Sequence, residues 1–414
     1  MNRSKWFTGF LPAMLILAVG CEKGSTVSVH HDLDLTENSA KVVAAQNQFT
    51  FKLFKAAQKQ DSTLSNKLIS PLSVYLDLSM AYNGAATTTR SAMEEALQMK
   101  DVTAEDVNKT NQALITGLPR VDPRVTLNIA NSIWYNQRFQ PLAPFLQTAS
   151  DYYQAKVSGA DFSNPTTVQL INNWAASQTQ QKIKTILDKI STDDVMYLLN
   201  AVYFKGQWKY KFDADKTTTR TFSTADKGTV QTPFMVQKGT FGYMQNDSVQ
   251  MISLPYGNGD FSMYVLLPSP KTNLQQLIAG VDENTLEKYI ARLDTVSLKL
   301  WLPKWKYSYK IKNMKPELAT LGMGIAFSPK DADFSDMYPP DLPVYISKVI
   351  HKTYIQVDEQ GTEAAAVTAI GITYVTSAPA LPVMDVNRPF LYVIAEKSSG
   401  VILFVGEVNN PAEH

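Results

Sequence analysis

Acyl transfer, metal-assisted hydrolysis and thiol chemistry draw mainly on histidine and cysteine. This chain of 414 residues offers four histidines (His30, His31, His351 and His414) and one cysteine, Cys21. Only His351 sits well inside the chain. An active serine would need it as a base, yet it stands among strand-forming residues (Val349, Ile350, Tyr354), where a hydrogen-bonded core role is the simpler reading. His30-His31 lies in a polar, aperiodic segment, where a histidine pair is read as no more than a weak metal pair. A single cysteine excludes an internal disulfide framework and any multi-thiolate zinc or iron–sulfur centre. No G-x-S-x-G elbow, G-x-x-x-x-G-K-[ST] phosphate loop, H-E-x-x-H helix or EF-hand loop occurs. No enzyme activity, metal or cofactor is therefore expected. With 39 basic and 38 acidic side chains the formal charge is +1, so no basic field draws in nucleic acid.

The unusual stretch is nearly uncharged. From Gly361 to Met384 (GTEAAAVTAIGITYVTSAPALPVM) the only charge is Glu363. With period two, one face carries Thr362, Ala364, Ala366, Thr368, Ile370 and Ile372; the other carries Glu363, Ala365, Val367, Ala369, Gly371 and Thr373. The first face begins small and grows larger and more apolar, which suits a strand entering a packed core. Pro379 and Pro382 lack the N–H a central strand must donate, so such a strand should stop before Pro379. A permanently buried strand pair and a long Ala-rich loop are the competing readings. The length and the missing turn signal are awkward for both, and left exposed the segment is an edge-pairing hazard.

The N-terminus reads as an address. Arg3 and Lys5 precede an apolar run, Phe10 to Val19, too short to span a bilayer comfortably. It closes on Leu17-Ala18-Val19-Gly20-Cys21, which resembles a bacterial lipobox, where cleavage precedes a cysteine whose thiol is lipidated. Residues 1–20 are expected to be a lipoprotein signal peptide, with Cys21 the lipidation point. Residues 21–40, polar and aperiodic, are expected to be a flexible tether. The mature protein would be exported and anchored by lipid to a bacterial membrane, the outer one by expectation, on its periplasmic or cell-surface side.

From residue 41 to 414 neither a Gly/Ser-rich gap nor a repeat divides the chain, so one large domain is expected. The first third reads helical: Phe49, Phe51, Leu53 and Phe54 start one pattern, Leu72 to Tyr82 is apolar, and Thr89 to Met99 has helical spacing. Val125–Tyr135, Met196–Phe204, Phe261–Leu267, Val296–Leu302 and Val401–Val405 read as strands. The last third reads as almost all strand and turn. The expected class is α+β, with N-terminal helices packed on large mixed or antiparallel sheets.

Particular motifs then point to a family. The run Glu359-Gln360-Gly361-Thr362-Glu363-Ala364-Ala365-Ala366-Val367-Thr368 resembles the reactive-loop hinge of the serpins. Asn387-Arg388-Pro389-Phe390-Leu391-Tyr392 resembles the strand start that follows that loop. Ser70-Pro71-Leu72-Ser73, Ile171-Asn172-Asn173-Trp174, Asn200 through Trp208, Leu254-Pro255-Tyr256, Leu302-Pro303-Lys304, Ala332-Asp333-Phe334-Ser335 and His351-Lys352-Thr353 follow the family's order over about residues 45 to 411. Gln178-Thr179-Gln180-Gln181 departs from it, since the family usually has a Gly nearby.

The resemblance implies the serpin fold with an exposed reactive-centre loop, and a monomeric inhibitor that works by being cut. A target endopeptidase would form an acyl-enzyme on the loop, which then inserts as a new strand and distorts the protease; such a fold must be metastable. The implied hinge is Glu359, Gly361, Thr362, Glu363, Ala364, Ala365 and Ala366. Family spacing from Gly361 puts the scissile bond at Val375–Thr376; counting back from Pro389 lands near Ala378, leaving Tyr374, Ser377 and Ala378 as alternatives. Val375 suits an elastase-like pocket and Tyr374 a chymotrypsin-like one. No Arg or Lys lies between Gly361 and Asp385, which disfavours trypsin-like proteases. By position, Ser70, Ser73, Asn200 and His351 resemble the polar cluster under the sheet's opening point. Trp208, Lys304 and Glu359 resemble the cluster where the loop first enters, with a Lys304–Glu359 ion pair expected. A non-inhibitory serpin-fold binding or chaperone-like surface lipoprotein is the alternative; a lipid-anchored ligand-binding protein or hydrolase is a third reading, one the histidine census leaves little to build.

Overall fold

The computed structural model describes residues 33, 35–36, 38–362 and 381–413. Among them, six helices come before residue 180: α1 (Ser39–Gln60), α2 (Pro71–Tyr82), α3 (Thr87–Ala96), α4 (Ala104–Val121), α5 (Ala143–Tyr153) and α6 (Thr166–Gln178). Three shorter ones follow, α7 (Leu274–Gly280), α8 (Glu283–Ile290) and α9 (Lys315–Thr320).

Helix α2 sits deepest. Ser70 caps it, accepting the Ser73 N–H, and Pro71 fills the first turn, where a missing N–H costs nothing. Eleven of its twelve residues are buried, the pattern of a helix surrounded by protein rather than resting on its surface. Asp77 is the one charged residue in it. Helix α6 ends where Gln180 and Gln181 both take positive φ, +46° and +64°. Both lie in the Gln178–Gln181 stretch, and a left-handed backbone is one that glycine adopts at less cost than glutamine.

Among the described residues nine strands form one sheet. Its main path runs β1 (Lys67–Ile69), β15 (Ile402–Val408), β14 (Phe390–Glu396), β8 (Phe261–Pro268), β7 (Val249–Tyr256), β6 (Thr229–Gln245), β9 (Asp294–Pro303) and β13 (Val383–Asp385), with β5 (Thr218–Ser223) also on β6. Strands β8, β14 and β15 are buried at every residue, so both faces are covered and they read as unbroken hydrophobic runs. The short β13 lies parallel to β9, and Arg220 makes a two-pronged hydrogen bond to Asp385 at 3.0 and 2.8 Å that ties it to the sheet.

Among the described residues six strands form the second sheet, in the order β10 (Trp305–Ile311), β11 (His351–Asp358), β12 (Gly361–Thr362), β4 (Met196–Gln207), β2 (Val125–Asn136) and β3 (Lys156–Ala160). Strand β11 alternates buried and half-buried residues, turning His351, Thr353, Ile355 and Val357 inward.

The α+β expectation holds. The strands at Val125, Met196, Phe261 and Val296 exist with ends one to three residues further out, whereas the last begins at Ile402 and runs on to Val408. The last third is less strand-rich than its composition suggests: it contains α8 and α9, and residues 328–350 form no regular strand. Val344 and Ile346 there are apolar because they pack on the core, a burial that alternation alone cannot distinguish from a strand's.

Candidate functional site

The site lies where the second sheet parts. Strand β12 has only two residues, yet it separates β11 from β4: Asp358 and Val357 pair with Gly361 and Thr362 on one side, Gln207 and Gly206 on the other. Among the described residues β11 and β4 form no ladder with each other. Strand β4 is fully paired on its far side, from Met196 to Gly206, with β2. Among the described residues a slot therefore continues beyond Thr362, bounded by strand edges whose N–H and C=O groups are an invitation to another strand.

Gly361 makes the tight passage possible. Its φ is +149°, and a Cβ there would lie 2.0 Å from the Gly206 carbonyl oxygen and 2.7 Å from Gln207 Cα. No side chain fits. Thr362 follows with 3% exposure, its Oγ1 2.6 Å from the Tyr256 hydroxyl. Tyr256 stacks on Trp208 with ring centres 4.5 Å apart, and the Trp208 indole N–H donates to the Asp358 carbonyl at 2.9 Å. The Trp208 backbone N–H donates to the Gln360 carbonyl, and that of Phe212 to the Glu359 carbonyl. The turn between β11 and β12 is thus clamped from the β4 side.

Glu359 fixes the outer edge. Lys304 Nζ lies 2.8 and 3.1 Å from its two carboxylate oxygens, and the Thr217 hydroxyl donates at 2.7 Å. Burial is the largest single influence on this carboxyl and works against its charge. The hydrogen bonds from Lys304 and Thr217 outweigh it, so the group stays ionised below its ordinary range. Trp208, Lys304 and Glu359 do come together.

Deeper under the slot the expected cluster divides in two. Ser70, Ser73 and His351 are joined: the Ser70 N–H donates to His351 Nε2 at 3.1 Å, and Ser70 Oγ caps Ser73. His351 is 4% exposed, and burial pushes its imidazole down to about 4, so it is a neutral acceptor. Among the described residues it has no carboxylate partner that would make it a base. Asn200 belongs to a different set. Its side-chain amide donates to Asn131 Oδ1 at 2.7 Å, and its backbone N–H donates to Asp77 on α2 at 3.0 Å. Among the described residues no hydrogen bond connects Asn200 with Ser70, Ser73 or His351, because the slot lies between β4 and β11.

Glu363, Ala364, Ala365, Ala366, the scissile-bond candidates Tyr374, Val375, Thr376, Ser377 and Ala378, and Cys21 lie outside the described residues. Sequence reasoning missed Thr217, Asn131 and Asp77, and named Tyr256 only within the Leu254-Pro255-Tyr256 motif. Thr217 and Asn131 are unremarkable in strand or turn contexts. Asp77 carried a signal, a lone carboxylate inside an otherwise apolar helix.

Comparison with known proteins agrees with this geometry. The family model described as "Serpin (serine protease inhibitor)" matches residues 44–411. Human Serpin B8 is 32% identical over 378 residues, covering 89% of this chain and 98% of its own. Among solved structures, the native state of tengpin, a thermophilic serpin, aligns with a TM-score of 0.83 and 34% identity over 92% of this chain and 97% of its own. Human thyroxine-binding globulin aligns at a TM-score of 0.82 and 27% identity over 91% and 100%.

Proposed function

The chain belongs to the serpin family of serine protease inhibitors, and from that premise we propose that it is a suicide-substrate inhibitor of serine, and also cysteine, endopeptidases. A protease attacks the loop between Gly361 and Asp385 and forms its acyl-enzyme. Before water completes hydrolysis, the freed loop continues β12 into the slot between β11 and β4 and carries the bound protease with it. The protease supplies the nucleophile and the base; this chain supplies stored conformational free energy and a bait.

The observation that carries this reading is β12 itself, two hinge residues already seated as a strand between β11 and β4. Glu363 would follow on the other face, and then Ala364, Ala365 and Ala366, which ask for little space between the parting strands. Val375 before the scissile bond favours an elastase-like target, with Tyr374, Thr376, Ser377 and Ala378 as neighbouring possibilities. Lipid on Cys21 would tether the inhibitor, as a monomer, to the membrane of the exporting cell.

A second reading is favoured by one comparison: thyroxine-binding globulin shares the fold, and its name is that of a binder. In that case this chain would be a surface binding protein that inhibits nothing. The hinge separates the two readings, because a non-inhibitor has no need of a small, uncharged inserting face.

Mixing the protein with elastase-, chymotrypsin- and trypsin-like proteases and looking for a denaturation-resistant complex tests the proposal. A complex with an elastase-like enzyme supports it; cleavage without complex for all three moves the balance to the binding protein.

A further inference from the structure

We propose that a cavity beside the start of β4 binds a small apolar amine, with its ammonium on Asp77 and its hydrocarbon body among Leu78, Ala81, Val344 and Ile346. The site stands apart from protease inhibition and would exist whether or not the chain inhibits anything.

The cavity measures about 410 Å³, within the size range of pockets that enclose a small organic molecule. Helix α2 forms one wall, Met196 and Leu198 of β4 a second, and residues between 334 and 350 close it. That last wall belongs to the stretch without regular strand, but it is tied down at two points. The Ile346 N–H donates to the Ala326 carbonyl at 3.0 Å, and the Val349 carbonyl accepts the Met314 N–H at 2.8 Å. The apolar surface is therefore already shaped, so a ligand pays little to order it.

Two lining residues carry buried polar atoms with no hydrogen-bond partner among the described residues, Asp77 Oδ1 and the Tyr338 hydroxyl. Asp77 uses only its other oxygen, which accepts the Asn200 N–H at 3.0 Å. Tyr338 is 1% exposed. Buried groups left unpaired are costly, and two in the lining of one cavity point to an occupant with a polar head. Charge selects its sign. The ionisable acids and bases among the described lining residues are the carboxyls Asp77, Asp193 and Asp194 and a single cation, Lys348. Asp194 is already engaged by the Tyr197 hydroxyl and by Ser347 Oγ at 3.1 Å. An anionic head would meet three carboxyls, whereas an ammonium meets the open oxygen of Asp77, with the Tyr338 hydroxyl as a second acceptor. Burial pushes the Asp77 carboxyl up to about 8, the mark of a carboxylate short of a neighbouring cation.

Calorimetry on the full, uncleaved chain with no protease present tests this, using naphthylethylamine, the neutral naphthylethanol and the anionic naphthylacetate as probes. The amine is expected to bind about tenfold tighter than the alcohol, the gain of one charge-assisted hydrogen bond, and the acetate weakest. Asp77→Asn keeps an acceptor for the Asn200 N–H but removes the charge; it should cost the amine about tenfold and leave the alcohol nearly unchanged. Ala81→Leu puts a larger side chain into the cavity and should abolish binding of both; Ile346→Trp does the same from the opposite wall should the leucine variant fold poorly. Equal affinity for amine and alcohol, amine binding that survives Asp77→Asn, or no binding by any probe overturns the proposal. So does undiminished binding by the filled variants, which would put the probes elsewhere on the protein.

Discussion

Gly361 passes so close to Gly206 that a methyl group on it would lie 2.0 Å from a backbone oxygen. The two glycines form the throat of the slot, and neither the clash nor the positive φ can be relieved by turning a side chain. Gly361→Ala should cost about 3 kcal/mol or more at the hinge, combining backbone strain with the contact. The expected result is a protein still cleaved by an elastase-like protease with little covalent complex; an undiminished yield on a denaturing gel would contradict the throat's role.

Thr362 tests the next step inward. Thr362→Arg or Ala364→Arg puts a long cation on the inward face and should turn inhibitor into substrate. The gentler Thr362→Val removes one hydroxyl and leaves the buried Tyr256 oxygen without that partner, a loss of about 1–3 kcal/mol. Chemical denaturation of the uncleaved protein reads the second effect, and product partitioning reads the first.

The Lys304–Glu359 pair should matter modestly. Lys304 is 36% exposed, so solvent screens the pair, and Lys304→Met should cost under about 1 kcal/mol. Because Glu359 is held below its ordinary range, its contribution is present above the unfolded carboxyl's pKa and is lost as acid carries the pH down through the folded value. Salt titration of the hinge's opening rate should show the same sign, with more salt giving faster opening.

His351 works in the opposite sense to a paired histidine. Its folded pKa of about 4 lies below the unfolded value near 6.5, so the folded state binds fewer protons in that window. Stability should rise with pH between about 4 and 6.5 and fall on acidification, by about 3 kcal/mol for this group alone. Asp77, raised to about 8, pulls the other way, favouring the fold at low pH and losing that advantage as pH climbs towards 8. The difference between wild type and His351→Gln isolates the histidine; parallel pH–stability curves would show that it carries no such penalty.

Cys21→Ser should release the protein from membranes into the soluble fraction without changing inhibition in solution. Fractionation followed by mass measurement of the N-terminal fragment checks it. The same instrument applied to the fragment beginning after the cut would decide between Val375–Thr376 and its neighbours.

Sequence by itself determined much of this protein. Helical spacing marked the helices of the first third, apolar runs marked most of the strands, and local motifs located Trp208, Lys304, Glu359 and His351. Such features are legible because they depend on residue type and near-neighbour spacing. Tertiary structure alone decided that β12 already separates β11 from β4, that Asn200 and His351 stand on opposite banks of one slot, and that Tyr256 and Asp77 take part. Those facts depend on the register between strands more than a hundred residues apart. A register is set by how whole sheets pack, and no local spacing encodes it.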